Sequence, residues 1–464
     1  MSSLLAMFGA SGNALDVFQQ ALSVVQNNVN NSSTPGFARQ SLNLEALPLD
    51  VAGGLAGGVA SAGLHDSRNQ YAEEQLQRQT QLLGQFTAQS QATGSLQSLF
   101  DASGSTGLSA TLSSLYQSFS SWSTTPSDTN ARQAVIAAAG DVASSLNGLA
   151  NSLSQNSQQL NQSISSTVTQ INTIAGQIQA YNQDRLTRTT PDPGEDAQLH
   201  SALDNLSQLT NFSTVTQSDG TVTVLLGGGS PLVMGTQQYS ISASFPSDAQ
   251  VTDSQGNDIT SQITSGQLGG MLDTRNRVLP ALIGDSSQPG MLNNIATALA
   301  GVINQTLESG TVSSATGAPA GSALFTFGSA DPTAAAATIA VNPTLTPDQL
   351  APVDSSGVAN GNANQLAALA TTPLSQLNNM SITDALGQLT AFLGNENSTA
   401  TDNQQSQQQV VAQATTLVNQ VSGVSLDAEA VSVLQFQRSY QAAAQVLTVL
   451  NTLADSVMNL IPPY

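Results

Sequence analysis

Apolar residues recur at heptad spacing at both ends of the chain. Near the start, they advance in alternating steps of four and three residues, as Leu4, Phe8, Ser11, Leu15, Phe18, Leu22, Val25 and Val29. Near the end, the same steps give Phe436, Ser439, Ala443, Val446, Leu450, Leu453, Val457 and Leu460, widened by Tyr440, Ala444 and Leu447. This spacing is that of a coiled-coil seam, so we predict an apolar-seamed helix at each terminus.

Few charges lie on either terminal helix. The first forty residues carry only Asp16 and Arg39, and four charged residues follow position 420. A helix with so little charge on its outward side is not a simple solvated surface helix. We therefore expect burial on more than one side, which points to assembly with other subunits.

A third heptad pattern lies in the middle of the chain. It begins at Val135 and reaches Leu160, after which steps of four bring Ile164 and Val168 before the pattern resumes through Ile178. Such a stutter relaxes supercoiling locally without ending a helix. A helix over residues 131–185 would span about 80 Å at 1.5 Å per residue, so we predict a rod. We expect residues 71–100 to pair with it through Leu76, Leu83, Phe86 and Phe100.

The period changes to two after Phe212. The strand pattern TVTVLL follows a Ser-Asp-Gly turn signal, and YSISASF alternates apolar and polar residues, which predicts a small β insert. The intervening LGGGSP lacks the Lys and the following helix of a phosphate-binding loop, so a turn is favoured. Residues 268–310 are helical in pattern, and 311–375 contain several Pro breaks. Helical spacing resumes near Ser381 and continues to the end.

These patterns predict a mainly α fold with a small β insert, elongated and built from discontinuous domains. The expected parts are a terminal coiled-coil axial domain over 1–66 and 415–464, a helical-bundle rod over 67–205, 268–310 and 376–414, a β-rich outer domain over 206–267, and an irregular linking segment over 311–375.

The stretch NNVNNSSTPGFARQ, residues 27–40, ends the first heptad helix. Its asparagines tolerate left-handed backbone and bond to nearby peptide groups, so they can end a helix. Pro35 fixes φ, and Gly36 can supply the positive φ that a type II turn requires. A routine helix stop is the alternative interpretation of this turn taken alone.

Composition narrows the possible functions. The formal charge is −21, and a field of that sign repels phosphate backbones, so nucleic acid is not expected as a partner. The absence of Cys excludes disulfides, thiolate metal sites and cysteine nucleophiles. The N-terminus lacks the basic region and unbroken apolar run of a cleavable signal peptide. No window approaches the roughly 18 apolar residues of a membrane span.

The sequence offers only weak candidates for a catalytic or metal-binding site. His65, Asp66 and Ser67 are adjacent in sequence, whereas a triad needs side chains that converge from separate elements. His200 lies on a predicted helix among acidic residues, and with two His and no Cys in the chain a solvated helix face explains it better than a metal site. We predict no catalytic residue, no cofactor and no metal site.

Motifs at both ends resemble those of the axial proteins of the bacterial flagellum. The opening helix followed by NNVNNSSTPGFARQ is similar to their N-terminal motif, and SGVSLDAEAVSVLQFQRSYQAAAQVL is similar to their C-terminal helix. Between them, ARQAVIAAAGDVASSLN, TIAGQIQAYNQD, LDNLSQLTNFSTVTQSDGTVTVLLGGGSPLVMG and SGQLGGMLDTRN resemble the hook-associated protein 1 family, whose members join hook to filament. The resemblance is weakest over 311–375.

This resemblance implies a structural role and not an enzymatic one. It implies export through the flagellar secretion system without a cleaved signal peptide, and an extracellular location on the flagellum. The implied partners are hook protein, an adjoining hook-associated protein, further copies in the junction, and an export chaperone on the C-terminal helix. The alternatives are another axial flagellar protein, meaning a hook, filament or other hook-associated subunit, and, from a different class, a secreted hydrolase carried on helical arms.

We expect the assembly interface to lie on the two terminal helices and the Asn-rich turn. The residues predicted for it are Leu4, Phe8, Leu15, Phe18, Leu22, Val25, Asn28, Asn31, Thr34, Gly36, Phe37, Arg39, Phe436, Gln437, Tyr440, Ala443, Val446, Leu450, Leu453 and Val457.

Overall fold

The computed structural model describes residues 2–50, 55–100, 107–188 and 192–459. This part of the chain is mainly helical, as predicted. Its α-helices are α1 (Ser2–Asn30), α2 (Gln70–Leu99), α3 (Leu108–Thr124), α4 (Thr129–Thr187), α5 (Pro193–Leu209), α6 (Gly266–Asp273), α7 (Leu279–Ile283), α8 (Gly290–Glu308), α9 (Ala335–Thr338), α10 (Gly361–Ala367), α11 (Ile382–Ser422) and α12 (Leu426–Asn459). A π-helical turn, Thr274–Val278, connects α6 to α7.

The strands form small antiparallel sheets. They are β1 (Gln40–Asp50), β2 (Leu55–Asp66), β3 (Phe212–Thr216), β4 (Val222–Leu226), β5 (Pro231–Met234), β6 (Gln237–Gln238), β7 (Ser242–Ser244), β8 (Gln250–Thr252), β9 (Phe325–Phe327) and β10 (Ile339–Val341). Strands β3 to β6 form one sheet in sequence order, while β1 with β2, β7 with β8, and β9 with β10 form separate pairs. The β insert predicted after Phe212 is therefore confirmed as β3 to β8.

Helix α4 is the 59-residue axis of the helical region, and it confirms the rod predicted over 131–185. At 1.5 Å per residue it is about 90 Å long. The side chain of Asp128 caps its first turn by accepting a hydrogen bond from the backbone N–H of Asn130 at 2.9 Å. The predicted stripe faces the core, and its fully buried members include Val135, Leu146, Leu153, Ile164, Ile171 and Ile178.

Helix α2 has different neighbours from those expected. Its main contacts are with α11, α6 and α5, and its contact with α4 is smaller. Of the four residues predicted to pair it with α4, Phe100 is buried and Leu76, Leu83 and Phe86 are half-buried. Because three other helices surround α2, the spacing of its apolar residues could not identify which one it would meet.

The segment 311–375, expected to be an irregular link, contains α9, α10 and the β9–β10 pair. Leu324 and Phe325 are buried, and the backbone oxygen of Phe325 accepts a hydrogen bond from the Asn304 side chain at 2.8 Å. The Asn362 amide donates to the backbone oxygen of Thr306 at 2.7 Å. Side-chain amides thus satisfy backbone groups in a segment with little regular structure, which allows it to pack into the core.

Two features near the termini were not predicted. Strands β1 and β2 pair as an antiparallel hairpin, with Gln40 opposite Asp66, and both strands lie against α1. The predicted helix from Ser381 to the end is interrupted at Gly423, whose N–H bonds to the oxygen of Asn419 at 3.0 Å and ends α11. None of the helices in the described ranges is long and apolar enough to cross a membrane.

Candidate assembly interface

The end of α1, the start of β1 and the first turn of α12 meet at Asn28, Arg39, Gln40 and Glu429, which we call the corner cluster. The amide nitrogen of Asn28 donates to the backbone oxygen of Gln40 at 2.8 Å and to Oε2 of Glu429 at 3.2 Å. The amide oxygen of Asn28 accepts from the backbone N–H of Gln40 at 2.9 Å. Arg39 Nε donates to Oε1 of Glu429 at 2.6 Å. Both oxygens of the Glu429 carboxylate, which is 0% exposed, therefore have a partner.

Backbone bonds bring two further elements to the same place. The N–H of Arg39 donates to the oxygen of Ser422 at 2.9 Å, and the N–H of Ser67 donates to the oxygen of Arg39 at 2.8 Å. The hydroxyl of Ser422 accepts from the N–H of Asn69 at 3.2 Å. The end of α11 and the residues that precede α2 are thus fixed beside the corner cluster.

The turn after α1 has the features predicted for it. Asn31 donates to the backbone oxygen of Asn27 at 3.0 Å, and Thr34 Oγ1 donates to Oδ1 of Asn31 at 3.1 Å. The N–H of Phe37 closes the turn on the oxygen of Thr34 at 3.2 Å, and Gly36 has φ of 74°. The positive φ expected at Gly36 is confirmed.

Gly36 also lies directly against α5. A Cβ added there would lie 2.2 Å from the backbone oxygen of Ala197 and 2.7 Å from the backbone nitrogen of Ser201. The guanidinium of Arg68 donates to the oxygen of Gly36 at 2.7 Å and also pairs with Glu73 of α2. The turn therefore connects the terminal helices to the helical rod.

Helices α1 and α12 pack against each other, and α1 also packs against β2. The most buried line on α1 comprises Val17, Ala21, Val25 and Asn28. The predicted stripe lies beside this line: Val25 and Asn28 are buried, whereas Leu4, Phe8, Leu15, Phe18 and Leu22 are half-buried. Because α1 is covered on one side by α12 and on another by β2, its burial is centred between the two and not on the heptad positions.

The predicted stripe on α12 is buried along one edge and exposed along the other. Leu450 is buried, and Phe436 and Ala443 are half-buried on the same side. Gln437 and Tyr440 are exposed, and Val446, Leu453 and Val457 are 51%, 50% and 44% exposed. Together with Val449, at 59% exposed, Val446, Leu453 and Val457 form what we call the outward face. This apolar surface has no partner among the described residues.

In the turn, Asn31, Gly36 and Phe37 are partly buried, and Thr34 is exposed. The structure therefore brings the predicted residues of the turn and the two helices into one region. Within this chain it does not place Val446, Leu453 or Val457 in the seam with α1. A role for these residues in contacts with other subunits stays a prediction.

Comparison with known proteins gives the family. The sequence model described as "Flagellar hook-associated protein FlgK helical domain" matches residues 93–325, which is half of the chain, and "Flagellar basal body rod FlgEFG protein C-terminal" matches residues 419–460. The chain belongs to the flagellar hook-associated protein FlgK family.

Curated relatives and one solved structure agree with this family assignment. Flagellar hook-associated protein 1 of Bacillus subtilis strain 168 is 25% identical over 99% of each chain. The protein of the same name from Salmonella typhimurium is 31% identical over 60% of this chain and 53% of that one. The structure of the flagellar hook junction protein FlgK from Burkholderia pseudomallei is similar in fold, with a TM-score of 0.65 and 17% identity, over 75% of this chain and all of that one.

His200 is held in a polar contact between α5 and α2. Its Nδ1 lies 2.9 Å from Oε2 of Glu73. Burial alone would raise the pKa of Glu73, but His200 and the charge of Arg68 outweigh burial and hold that pKa below its ordinary value. Burial raises the pKa of the nearby Asp204. His200 is thus part of a structural contact between helices, not of the solvated face expected from the sequence.

Across the described ranges, no group of three or more His, Asp or Glu side chains is arranged to hold a metal ion. In this FlgK-family chain the residues that sequence reasoning missed are Gln40, Ser422 and Glu429. Ser422 and Glu429 lie within the C-terminal motif, but their partners are distant in sequence. The alternation of Leu42, Leu44, Leu47 and Leu49 was the signal that could have indicated the β1–β2 hairpin.

Proposed function

We propose that this chain is a structural subunit of the bacterial flagellum that joins hook to filament. The observation that best supports this proposal is that α12, in a chain of the FlgK family, exposes the apolar outward face. Its residues are 44–59% exposed, although burial of such side chains stabilises by about 1.5 to 3 kcal/mol each. An exposed apolar stripe on a long helix is characteristic of a surface that another protein covers. The name of the Burkholderia relative, a hook junction protein, supports the same role.

We propose that the partners of this surface are hook protein, an adjoining hook-associated protein and further copies of this chain. An export chaperone would bind the C-terminal helix before assembly. The proposed location is extracellular, on the flagellum, after export without a cleaved signal peptide. The role is structural and includes no catalytic step.

We also propose the domain division. The corner cluster would hold together a terminal axial domain over 1–66 and 415–464. The rod would comprise 67–205, 268–310 and 376–414, with the β-rich outer domain over 206–267. The packing of 311–375 against the core supports counting that segment with the rod.

The function is tested by complementing a bacterium that lacks its own hook-associated protein 1. Leu453→Asp places a charge on the outward face, while Thr448→Asp places the same charge at an exposed position away from that face. Both variants should be exported and keep the helix content of the parent. Only Leu453→Asp should lose swimming motility and release filament subunits into the medium. Normal swimming with Leu453→Asp would contradict the proposed function.

A further inference from the structure

Arg438 is an exposed cation on α12 that has no partner among the described residues. All nine basic residues of the sequence are Arg. Within the described ranges, the side chains of the other eight each donate a hydrogen bond, whereas that of Arg438 forms neither a hydrogen bond nor a salt bridge. The guanidinium is therefore free to pair with an acid of another molecule.

Arg438 also lies beside the outward face of α12. It precedes Val449 by eleven residues, which is about three helical turns at 3.6 residues per turn, so the two side chains project from the same side of the helix. A subunit that covers the outward face would meet Arg438 as well. Apolar contact is not directional and does not fix how two elements are offset along their length, whereas a charge pair does.

The β1–β2 hairpin exposes a second apolar surface. Leu47 and Leu49 of β1 are 37% and 70% exposed, and Glu45 alternates with them, so the three side chains project from one face of the strand. Glu45 is exposed, and its side chain has no hydrogen bond or salt bridge to any described residue. The described part of the chain thus carries two free apolar surfaces, and the charges beside them have opposite signs.

The two charges lie at about the same distance from the corner cluster. Helix α12 and strand β1 both begin there and run alongside α1. Arg438 is nine residues beyond Glu429, or about 13 Å at 1.5 Å per residue. Glu45 is five residues beyond Gln40, or about 17 Å at 3.4 Å per residue. Two copies placed side by side in the same orientation would bring these charges to nearly the same level.

Resting on the proposed function, we infer that the outward face of α12 in one copy packs on the hairpin of the next copy, with Arg438 paired to Glu45. The contact joins two different surfaces, so each copy binds a neighbour on either side and the arrangement propagates as a ring or a helix. The surrounding apolar side chains exclude water, which strengthens the charge pair, and the pair fixes the register of the two copies.

A second copy is the occupant that the charges favour. Two copies with a formal charge of −21 repel each other over most of their surface. Charges are scarce on α12 and on β1, so close approach costs least there. One Arg–Glu pair adds attraction at this place, and a guanidinium suits it because two parallel N–H groups can bond one carboxylate.

The pairing is tested by exchanging the charges in the full-length chain, expressed in a bacterium that lacks its own hook-associated protein 1. Arg438→Glu places two acids at the contact and should weaken it at least about tenfold, since close interfacial charge pairs are coupled by that much or more. The cells should swim poorly and release filament subunits into the medium. Adding Glu45→Arg reverses the pair and should restore swimming and filament attachment.

The matched control combines Arg438→Glu with Asp16→Arg. Asp16 is an exposed acid of α1, twelve residues or about 18 Å from Asn28, so this variant has the same net charge and the new cation lies at a similar distance from the corner cluster. It should not restore swimming. Export of every variant is compared with that of the parent.

A second measurement does not depend on charge and decides the case if a charge variant is not exported. Because the sequence contains no Cys, Glu45→Cys combined with Arg438→Cys supplies the only two thiols of the chain. In assembled flagella, a short bis-maleimide should join copies into dimers and higher multimers. Either single-Cys variant should stay monomeric, because the contact joins different surfaces.

Normal swimming with exported Arg438→Glu would overturn the pairing. Failure of Glu45→Arg to restore swimming, restoration by Asp16→Arg, or a double-Cys variant that yields no multimers would overturn it as well. These outcomes are separate from the test of the proposed function. If Leu453→Asp abolishes swimming while the charge exchange restores nothing, the proposed function stands and the Arg438–Glu45 pair is refuted.

Discussion

Replacing Gly36 by alanine should detach the turn after α1 from α5. The added Cβ would lie 2.2 Å from the backbone oxygen of Ala197 and 2.7 Å from the backbone nitrogen of Ser201. Neither atom can rotate away as a side chain could, because both belong to the helix backbone. The turn would have to move outward by about 1 Å to reach an ordinary contact distance.

The cost follows from two contributions. A residue with a Cβ at a left-handed φ costs roughly 1 to 2 kcal/mol. Outward movement also weakens the 2.7 Å hydrogen bond from Arg68 to the oxygen of Gly36, and a bond to a charged group contributes about 1.5 to 3 kcal/mol. A total of about 3 kcal/mol or more corresponds to at least roughly a 100-fold increase in the opening of the turn, at 1.4 kcal/mol per tenfold.

Hydrogen exchange of the full-length protein measures this opening at the amides of residues 31–40 and of the first turns of α5. Gly235→Ala is the matched control, since Gly235 also has a positive φ, 55°, but no atom within 4 Å of an added Cβ. It should perturb only the β5–β6 turn, by roughly 1 to 2 kcal/mol. If Gly36→Ala leaves exchange in the turn and in α5 at the parental rate, the docking of the turn on α5 is refuted.

Four further predictions concern the rod and its attachments. Leu153→Ala should destabilise α4 by about 2 to 5 kcal/mol and lower the melting temperature, whereas Leu186→Ala, at a 52% exposed position, should have little effect. Asn182→Ala should remove the 2.8 Å and 2.7 Å bonds to the oxygens of Val222 and Gly235 and speed hydrogen exchange in β4 and β5, while exchange in α8 stays parental. Because the pKa of Glu73 is lowered, its stabilisation is present at neutral pH and is lost as pH falls through the lowered pKa, so Glu73→Gln should lower the melting temperature more at pH 7 than at pH 3. Burial raises the pKa of Asp204, so its ionised form destabilises the folded state at neutral pH. Asp204→Asn should therefore raise the melting temperature at pH 7. Equal shifts at both pH values would contradict the assigned pKa directions.

The sequence by itself determined the long helices and the β insert. From Val135 to Ile178, most of the predicted stripe of α4 is buried, including the change of step at Ile164, while Leu149, Asn156 and Ile174 are half-buried. A helix of this length repeats its pattern many times, so the helical spacing is recognisable on both sides of the stutter. The positive φ at Gly36 could likewise be predicted, because the pair Pro35-Gly36 suits a type II turn, whose third residue has a positive φ that Gly adopts readily.

The segments with weak or short patterns were less predictable. The alternation of Leu42, Leu44, Leu47 and Leu49 is short and is interrupted between Leu44 and Leu47, and the β1–β2 hairpin that it could have indicated lies against α1. The packing of 311–375 depends on amides such as Asn304, which bond to backbone groups elsewhere in the chain. Hydrogen bonds of this kind leave no periodic pattern in the sequence.

Only the tertiary structure decided how α12 faces α1. The heptad stripe contained both Leu450, which is 6% exposed, and Leu453, which is 50% exposed, and nothing in their spacing distinguished them. The side chains of Asn28 and Glu429, which are hydrogen-bonded between α1 and α12, are 401 positions apart. Periodicity records which positions of a helix are apolar, because that is a local property. The side that is buried depends on which distant residue occupies the neighbouring space, and folding alone brings those residues together.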